Sequence, residues 1–466
     1  MYPGMNTESK GSIGYEIKRQ SAYISLGLLA LLFPFVPKWL IVLGVFLGTI
    51  AIIYIPRDSF LFKSLASERD REAGVLLGPL KFSFALLLLA ILMVALDFPV
   101  YILAATVGTV AFGEGTAAIV NMLVSRDKTI FWSVTLLVLG TIFAFVFGAW
   151  VITNGDMSIQ TGIDGLNFMF FLAVIGTVTG ALLYTIVDEE NIAVPLGAGM
   201  AMWLFSSFTY TSIPSPTAII VAVTLPLAIG IISYKLNAAD LSGALSGVLI
   251  GVLMIVFGGI NWFILFIAFF VLGAMFTKYK YAYKKSIGVA ESNQGSRGYK
   301  NAFGNCLVPL IFVVAYGVVG NVEYPYIGYI DPSVFLIGYL CAMATATGDT
   351  LASEIGSTYR GEPRMITTLK KVRTGTDGAV SLLGEMAGLF GSVIIAILAL
   401  PLGLTVPDTV LMVALVTACG FLGTNIDSIL GATFQRKKYL SNAGVNLFAT
   451  AIGGLLGAVV YYFLII

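Results

Sequence analysis

The chain has 466 residues, 58% of them apolar and only 11% charged. Soluble domains carry about 25% charged residues, so this composition excludes a soluble enzyme and predicts an all-α, polytopic integral membrane protein. A net charge of +1 argues against a nucleic-acid partner, and three isolated cysteines with no histidine exclude a disulfide framework and a thiolate or imidazole metal site.

Any metal must then be held by oxygen, which favours Mg²⁺, and any general base must be a carboxylate or a substrate phosphate. Taking apolar runs of about 17–25 residues as spans, fifteen are expected. They are 21–36, 39–55, 82–97, 100–124, 131–153, 166–187, 193–209, 215–233, 241–258, 261–277, 303–319, 332–347, 379–400, 408–433 and 441–466. The first follows Lys18 and Arg19 and runs into Pro37-Lys38-Trp39 without a small-residue cleavage site, so it reads as a span and not a signal peptide.

Alternation of these spans puts nearly all Lys and Arg beyond the first twenty residues on one side, in Pro56–Pro79, Arg126–Lys128, Lys278–Lys300, Ser357–Thr376 and Arg436–Lys438. The opposite segments Asn154–Gly165 and Gly320–Ser333 carry acids and no basic residue. The positive-inside rule therefore predicts an inside N-terminus and a polar site on the cytoplasmic face of the cell membrane.

A Pro/Ser-rich turn at Ser212–Pro216 predicts two domains, 1–211 and 212–466. Each has one acid-bearing signature opening to the inside, Gly113-Glu114-Gly115 and Gly348-Asp349-Thr350. In the first domain Glu114 and Asn121 share a helical face that ends near Arg126 and Lys128. Glu16 with Lys18 and Arg19, Arg69-Asp70-Arg71-Glu72 before Gly78-Pro79, and Asp188-Glu189-Glu190-Asn191 lie on the same side. The Arg69–Glu72 run suits a solvated loop equally well.

The second domain holds GDTLASEIGSTYRGEPRMITTLKKVRTGTDGAVSLLG at Gly348–Gly384, between long apolar runs. Acids at the mouth of a membrane helix cost roughly 2.5–3.5 kcal/mol each, so Asp349 and Glu354 predict a function. If the helix continues from Ala344 to Ser357, then Thr345, Asp349 and Ser353 line one face, with Glu354 beside it. Thr374-Gly375-Thr376-Asp377-Gly378 has the small residues of a phosphate turn, and Asp377 can hold a cation. Ser381 and Gly384 open the next helix, whose N-terminus favours anions. Asp427 lies between Gly423 and Gly431. Asn442, Asn446 and Thr450 form a polar stripe that suits helix–helix contact as readily as a ligand.

Leu241-Ser242-Gly243-Ala244, Gly288-Val289-Ala290-Glu291, Arg297-Gly298, Gly348–Gly356, Ile366-Thr367-Thr368, Gly375–Gly384 and Asp427–Ala432 occur in this order in the second domain. In order and spacing they resemble the DUF92 family, the integral membrane phytyl-phosphate kinases. The resemblance implies a kinase that converts an isoprenoid monophosphate to the diphosphate, with CTP and Mg²⁺. On that reading Asp349, Glu354, Asp377 and Asp427 hold the metal, and Lys370, Lys371 and Arg373 stabilise the transferring charge. Gly348, Ser353, Gly375, Thr376, Gly378, Ser381 and Arg297 contact the nucleotide or its phosphates.

The first domain resembles the dolichol kinase and phytol kinase family through Gly74–Leu80, Gly113-Glu114-Gly115 with Ala117-Ala118, Lys128-Thr129 and Asn191–Leu196. That implies phosphorylation of the isoprenoid alcohol, with Glu114 as its catalytic acid. The family's Asp after Gly is Glu114 here. Its Lys-Thr-Leu-Glu-Gly-Ser element reads Lys128-Thr129-Ile130-Phe131-Trp132-Ser133, without the carboxylate and glycine. Two other readings compete: cytidylyl transfer onto a lipid phosphate, and a secondary transporter with two comparable halves. The acids lie near one leaflet and not at the midplane, which weighs against transport.

Overall fold

A computed structural model describes residues 10–124, 128–155, 163–208, 215–290, 295–319, 323–324 and 328–464. Arg126, Glu291 and the expected domain break at 211–212 lie outside them. The chain forms two compact units, Met1–Thr217 and Ala218–Ile466.

In the first unit α1 (Lys10–Gly27) passes into a 3-10 segment, Leu28–Phe35, followed by α2 (Lys38–Ile53), α3 (Phe60–Leu65), α4 (Glu68–Ala73) and α5 (Leu77–Ala95). Helix α6 (Val100–Val107) continues through a π-helical turn, Gly108–Glu114, into α7 (Gly115–Val124); α8 (Lys128–Asn154), α9 (Ile163–Ile186) and α10 (Glu190–Ser206) complete the unit. The α6–α7 rod is mostly buried, chiefly against α1, α8 and α10. Asp70 is an ordered cap and not part of a solvated run: it is 2% exposed. Its carboxylate accepts from the Ser67 amide at 2.8 Å, the Ser67 hydroxyl at 2.8 Å and the Leu77 amide at 2.7 Å. This capping box fixes the turn into α5.

The second unit contains α11 (Pro216–Lys235), α12 (Leu241–Phe257), α13 (Ile260–Lys278), the short α14 (Tyr281–Ser286) and α15 (Tyr299–Val319). After the paired β1 (Glu323–Tyr324) and β2 (Gly328–Tyr329) comes α16 (Pro332–Gly356). A loop carrying the antiparallel β3 (Arg364–Met365) and β4 (Ala379–Val380) leads to α17 (Leu382–Leu398), α18 (Thr409–Leu430), a π-helical turn at Gly431–Gln435, and α19 (Asn442–Leu464). Helix α16 is the axis, buried from Leu336 to Gly348, with α13, α15, α17, α18 and α19 around it. Close helix approach in apolar surroundings needs small residues. At Gly348 a Cβ would fall 2.6 Å from Thr424 Oγ1 and 2.9 Å from the Gly388 carbonyl oxygen.

Among the described residues ten helical segments are long and apolar enough to cross a bilayer, and α2, α12 and α17 are shorter apolar helices. Fifteen spans were expected. The run at 21–36 falls on the end of α1 and the 3-10 segment, and the run at 193–209 falls largely on α10, which has 17 residues with Pro195 inside it. Neither provides a regular helix of full spanning length.

Candidate functional site

Helix α16 does not end with its apolar run. It continues unbroken to Gly356, so Thr345, Asp349 and Ser353 share one face as their spacing requires. Asp349 meets Asp427 of α18 in hydrogen-bonding contact. Two carboxyl groups in contact repel when both are ionised, so this pair calls for a shared proton or a cation. Arg297 and Glu354 are the other charges acting on Asp349.

The Asp427 side of the pair is held by α19 and α15. With its amide turned so that donors face acceptors, Asn446 donates to Asp427 Oδ2 at 3.3 Å and to the Asn442 carbonyl at 2.9 Å, and accepts from Asn305 Nδ2 at 3.3 Å. Asn446 and Asn305 are both buried. On the Asp349 side, Arg297 is placed by its backbone: its amide donates to Ala238 and its carbonyl accepts from Asp240, at 3.1 Å each. Its guanidinium donates to Thr277 Oγ1 at 3.3 Å.

Thr277 in turn donates to Glu354 Oε1 at 2.7 Å, and the ammonium of Lys284 reaches Glu354 Oε2 at 2.5 Å. Lys284 is 1% exposed. It also donates to the Phe276 and Thr277 carbonyls at 3.0 and 2.8 Å, helping to satisfy the carbonyls at the end of α13. A polar chain therefore runs Lys284–Glu354–Thr277–Arg297–Asp349–Asp427–Asn446–Asn305 at one end of the unit.

The loop after α16 sits beside this chain. Gly375 and Gly378 have φ of +83° and +76°, values that favour glycine. A Cβ at Gly378 would fall 2.5 Å from the Ala432 amide nitrogen, so the loop rests directly on the π-helical turn that follows Asp427. Asp377 accepts from Gln435 Nε2 of that turn at 3.0 Å. Burial pushes its carboxyl above the ordinary value, and the Arg436 guanidinium acts against that. Lys370, Lys371 and Arg373 are exposed. Lys371 pairs with Glu362 and holds that carboxyl below its ordinary value.

Comparison with known proteins falls on this architecture. Residues 224–454 match the integral membrane protein DUF92 family. The chain is also 31% identical, over 241 residues, to an uncharacterized membrane protein of Methanocaldococcus jannaschii; the alignment covers 52% of the chain and 93% of that relative. The chain belongs to the DUF92 family. It is 32% identical over 231 residues to Protein VTE6, chloroplastic, of Arabidopsis thaliana, covering 48% of the chain and 66% of the relative. To an uncharacterized membrane protein of Synechocystis sp. it is 31% identical over 205 residues, covering 43% and 74%. No solved structure matches.

Within the DUF92 unit the structure redistributes the expected roles. Asp349 and Asp427 come together, but Glu354 is spent on Lys284 and Thr277, and Asp377 on Gln435. Among the described residues no three or more His, Cys, Asp or Glu side chains form a metal-holding group, so the four acids are one pair and two satellites. Gly348 is buried where α16 meets α17 and α18. Ser381 accepts from the Gly384 amide at 3.1 Å as the N-cap of α17. Ser353 and Gly375 are exposed, and Thr376 donates to the Arg373 carbonyl at 2.7 Å. Lys284, Thr277 and Asn305 were not singled out from the sequence; Lys284 sits in a basic run that reads as a solvated loop. In the first unit Glu114 ends the π-helical turn, half-buried, with Glu190 and Arg19 as the charges acting on it.

Proposed function

We propose that the DUF92 unit transfers the γ-phosphoryl group of a nucleoside triphosphate, CTP, to a prenyl monophosphate, giving the prenyl diphosphate and CDP. The observation that carries this reading is the Asp349–Asp427 pair beside Arg297, at the polar end of apolar helices. Mg²⁺ is commonly held by one or two carboxylates with substrate phosphates and water filling the other positions. The two touching carboxylates fit that demand, and a larger protein cage is not required. When bound there, the ion would neutralise charge on the nucleotide phosphates.

Phosphoryl transfer depends on positioning and charge neutralisation more than on covalent chemistry by the protein. Arg297 presents a guanidinium with fixed donors to the lipid phosphate on the Asp349 side. Lys370, Lys371 and Arg373 stand on the loop that covers the π-helical turn, where they would meet the nucleotide. A lipid phosphate oxygen attacks the γ-phosphorus, the bond to the β-phosphate oxygen breaks, and CDP leaves. The attacking oxygen is already ionised, so no general base is needed, in keeping with a chain that has no histidine. The buried asparagines hold Asp427 in place, and Lys284 and Thr277 hold Glu354.

Purified full-length protein given prenyl monophosphate and CTP labelled at either the γ or the α phosphorus tests this. Label from the γ position in the lipid product is the expected result. Label from the α position would make it a cytidylyltransferase, and transfer of neither would return the protein to the transporter class.

A further inference from the structure

A narrow slot, with a cavity volume of about 50 Å³, runs between α11, α12, α13 and α15 of the DUF92 unit. Its walls are almost wholly apolar, with Pro226, Phe263, Phe266, Phe270 and Ala302 among them. The one charged lining residue is Arg297, at the end next to the acid pair. Its guanidinium carbon lies 5.8 Å from the centre of the Phe269 ring, so the cation sits where the aromatic wall begins.

Gly247 identifies what keeps the slot open. It lies within α12, where glycine is a poor helix former, and a Cβ there would meet no atom within 4 Å. Close packing therefore does not require glycine at this position, unlike Gly243 and Gly251 on either side. A Cβ at Gly243 would strike the Arg297 carbonyl at 2.1 Å, and one at Gly251 the Phe263 ring at 2.6 Å. Gly247 faces empty space. Along α12 the slot is lined from Gly243 to Gly247, about 6 Å by the helical rise, so it accepts the first few carbons of an extended chain. Helix α11, its outer wall, is largely unburied, which leaves the slot bordered on that side by a helix with an open apolar face.

We infer that this slot binds the single hydrocarbon chain of a lipid phosphate monoester, with the phosphate at Arg297 and Gly247 setting how much chain can enter. A cation at one end of an apolar channel complements that amphiphile. A two-chain phospholipid would leave one chain unaccommodated. The assignment rests on the kinase reading for the identity of the head group, and its location rests on the slot.

The test uses full-length protein in nanodiscs with geranylgeranyl phosphate carrying a photoreactive diazirine in its chain, and no nucleotide. Cross-links should map by mass spectrometry to slot residues such as Phe266 and Phe270. Gly247→Leu should reduce labelling by this probe about tenfold more than labelling by an isopentenyl phosphate probe, a difference of about 1.4 kcal/mol in binding. Labels on outward-facing residues, an equal effect of Gly247→Leu on both probes, or equal competition by a two-chain phosphatidic acid would each overturn the slot. The map on unaltered protein decides the matter even if the variant does not fold. A labelled slot in a protein that transfers no γ-phosphate would sink the kinase reading alone; γ-transfer with labels elsewhere would sink the slot alone.

Discussion

The contact between Asp349 and Asp427 makes a prediction about charge and not only about shape. Asparagine keeps the size of Asp349 but removes the ligand charge. Asp349→Asn should lower prenyl-phosphate kinase activity more than tenfold at saturating Mg²⁺, a barrier change above about 1.4 kcal/mol. Its thermal unfolding midpoint should not fall, because the substitution relieves repulsion in the pair. More than a tenth of the parent rate would remove Asp349 from the chemistry. Lys284 predicts the opposite pattern. Removing one partner of a buried ion pair costs about 3–5 kcal/mol, so Lys284→Met should lower the unfolding midpoint in detergent markedly, and Lys284→Met with Glu354→Leu should recover most of the loss. A Lys284→Met protein as stable as the parent would refute the pairing. The acids were legible in the sequence because charge inside apolar runs is costly and conspicuous. Lys284 was not, since lysine in a basic interhelical stretch looks solvated until α14 turns it back under the end of α13.

Elements carry the next scale, and here the loop between α16 and α17 is decisive. Its glycines and Asp377 were readable as a turn from Thr374 to Gly378, and the structure has positive φ at both glycines. What the sequence could not display was the partner surface, because Ala432 and Gln435 are distant in the chain and the π-helical turn that carries them has no simple periodicity. Strain of this kind costs on the order of 1–3 kcal/mol, and a side chain at Gly378 would also strike the Ala432 backbone. Gly378→Val should therefore release the loop while leaving the helices intact. Limited trypsin digestion should cut at Lys370, Lys371 or Arg373 several-fold faster than in the parent, with unchanged helical circular dichroism. An unaltered cleavage rate would show that the loop is held by something other than its seat on the π-helical turn. The same limit of local reading explains α16. Its apolar run ends at Thr347, but close packing on α17 continues to Gly356, where a Cβ would fall 3.1 Å from the Gly384 Cα, and the continued helix brings Asp349 to Asp427.

At the scale of the molecule, every residue of the polar chain and every wall of the slot belongs to the unit Ala218–Ile466. The relative from Methanocaldococcus jannaschii aligns over 241 residues that make up 93% of it, a length close to that of this unit alone. The sequence already put Asp349, Asp427 and Asn446 in the region after the Pro/Ser-rich turn; that the two acids meet, with Asn446 and Asn305 behind them, required the helices to be placed. The prediction is that a fragment spanning residues 218–466 inserts, folds and phosphorylates prenyl monophosphate from CTP at a rate within about tenfold of the full chain, a loss below about 1.4 kcal/mol in the barrier. Activity and a cooperative unfolding transition should be measured together, since an inactive but folded fragment means something different from an unfolded one. If the fragment is folded and silent, and co-expressing residues 1–217 restores turnover, the first unit contributes to the site. Glu114→Gln in the full chain then separates the remaining cases: impairment of the monophosphate step would place that acid in a shared site, whereas an unchanged step would leave catalysis to the second unit, whose acids are held by that unit's own helices.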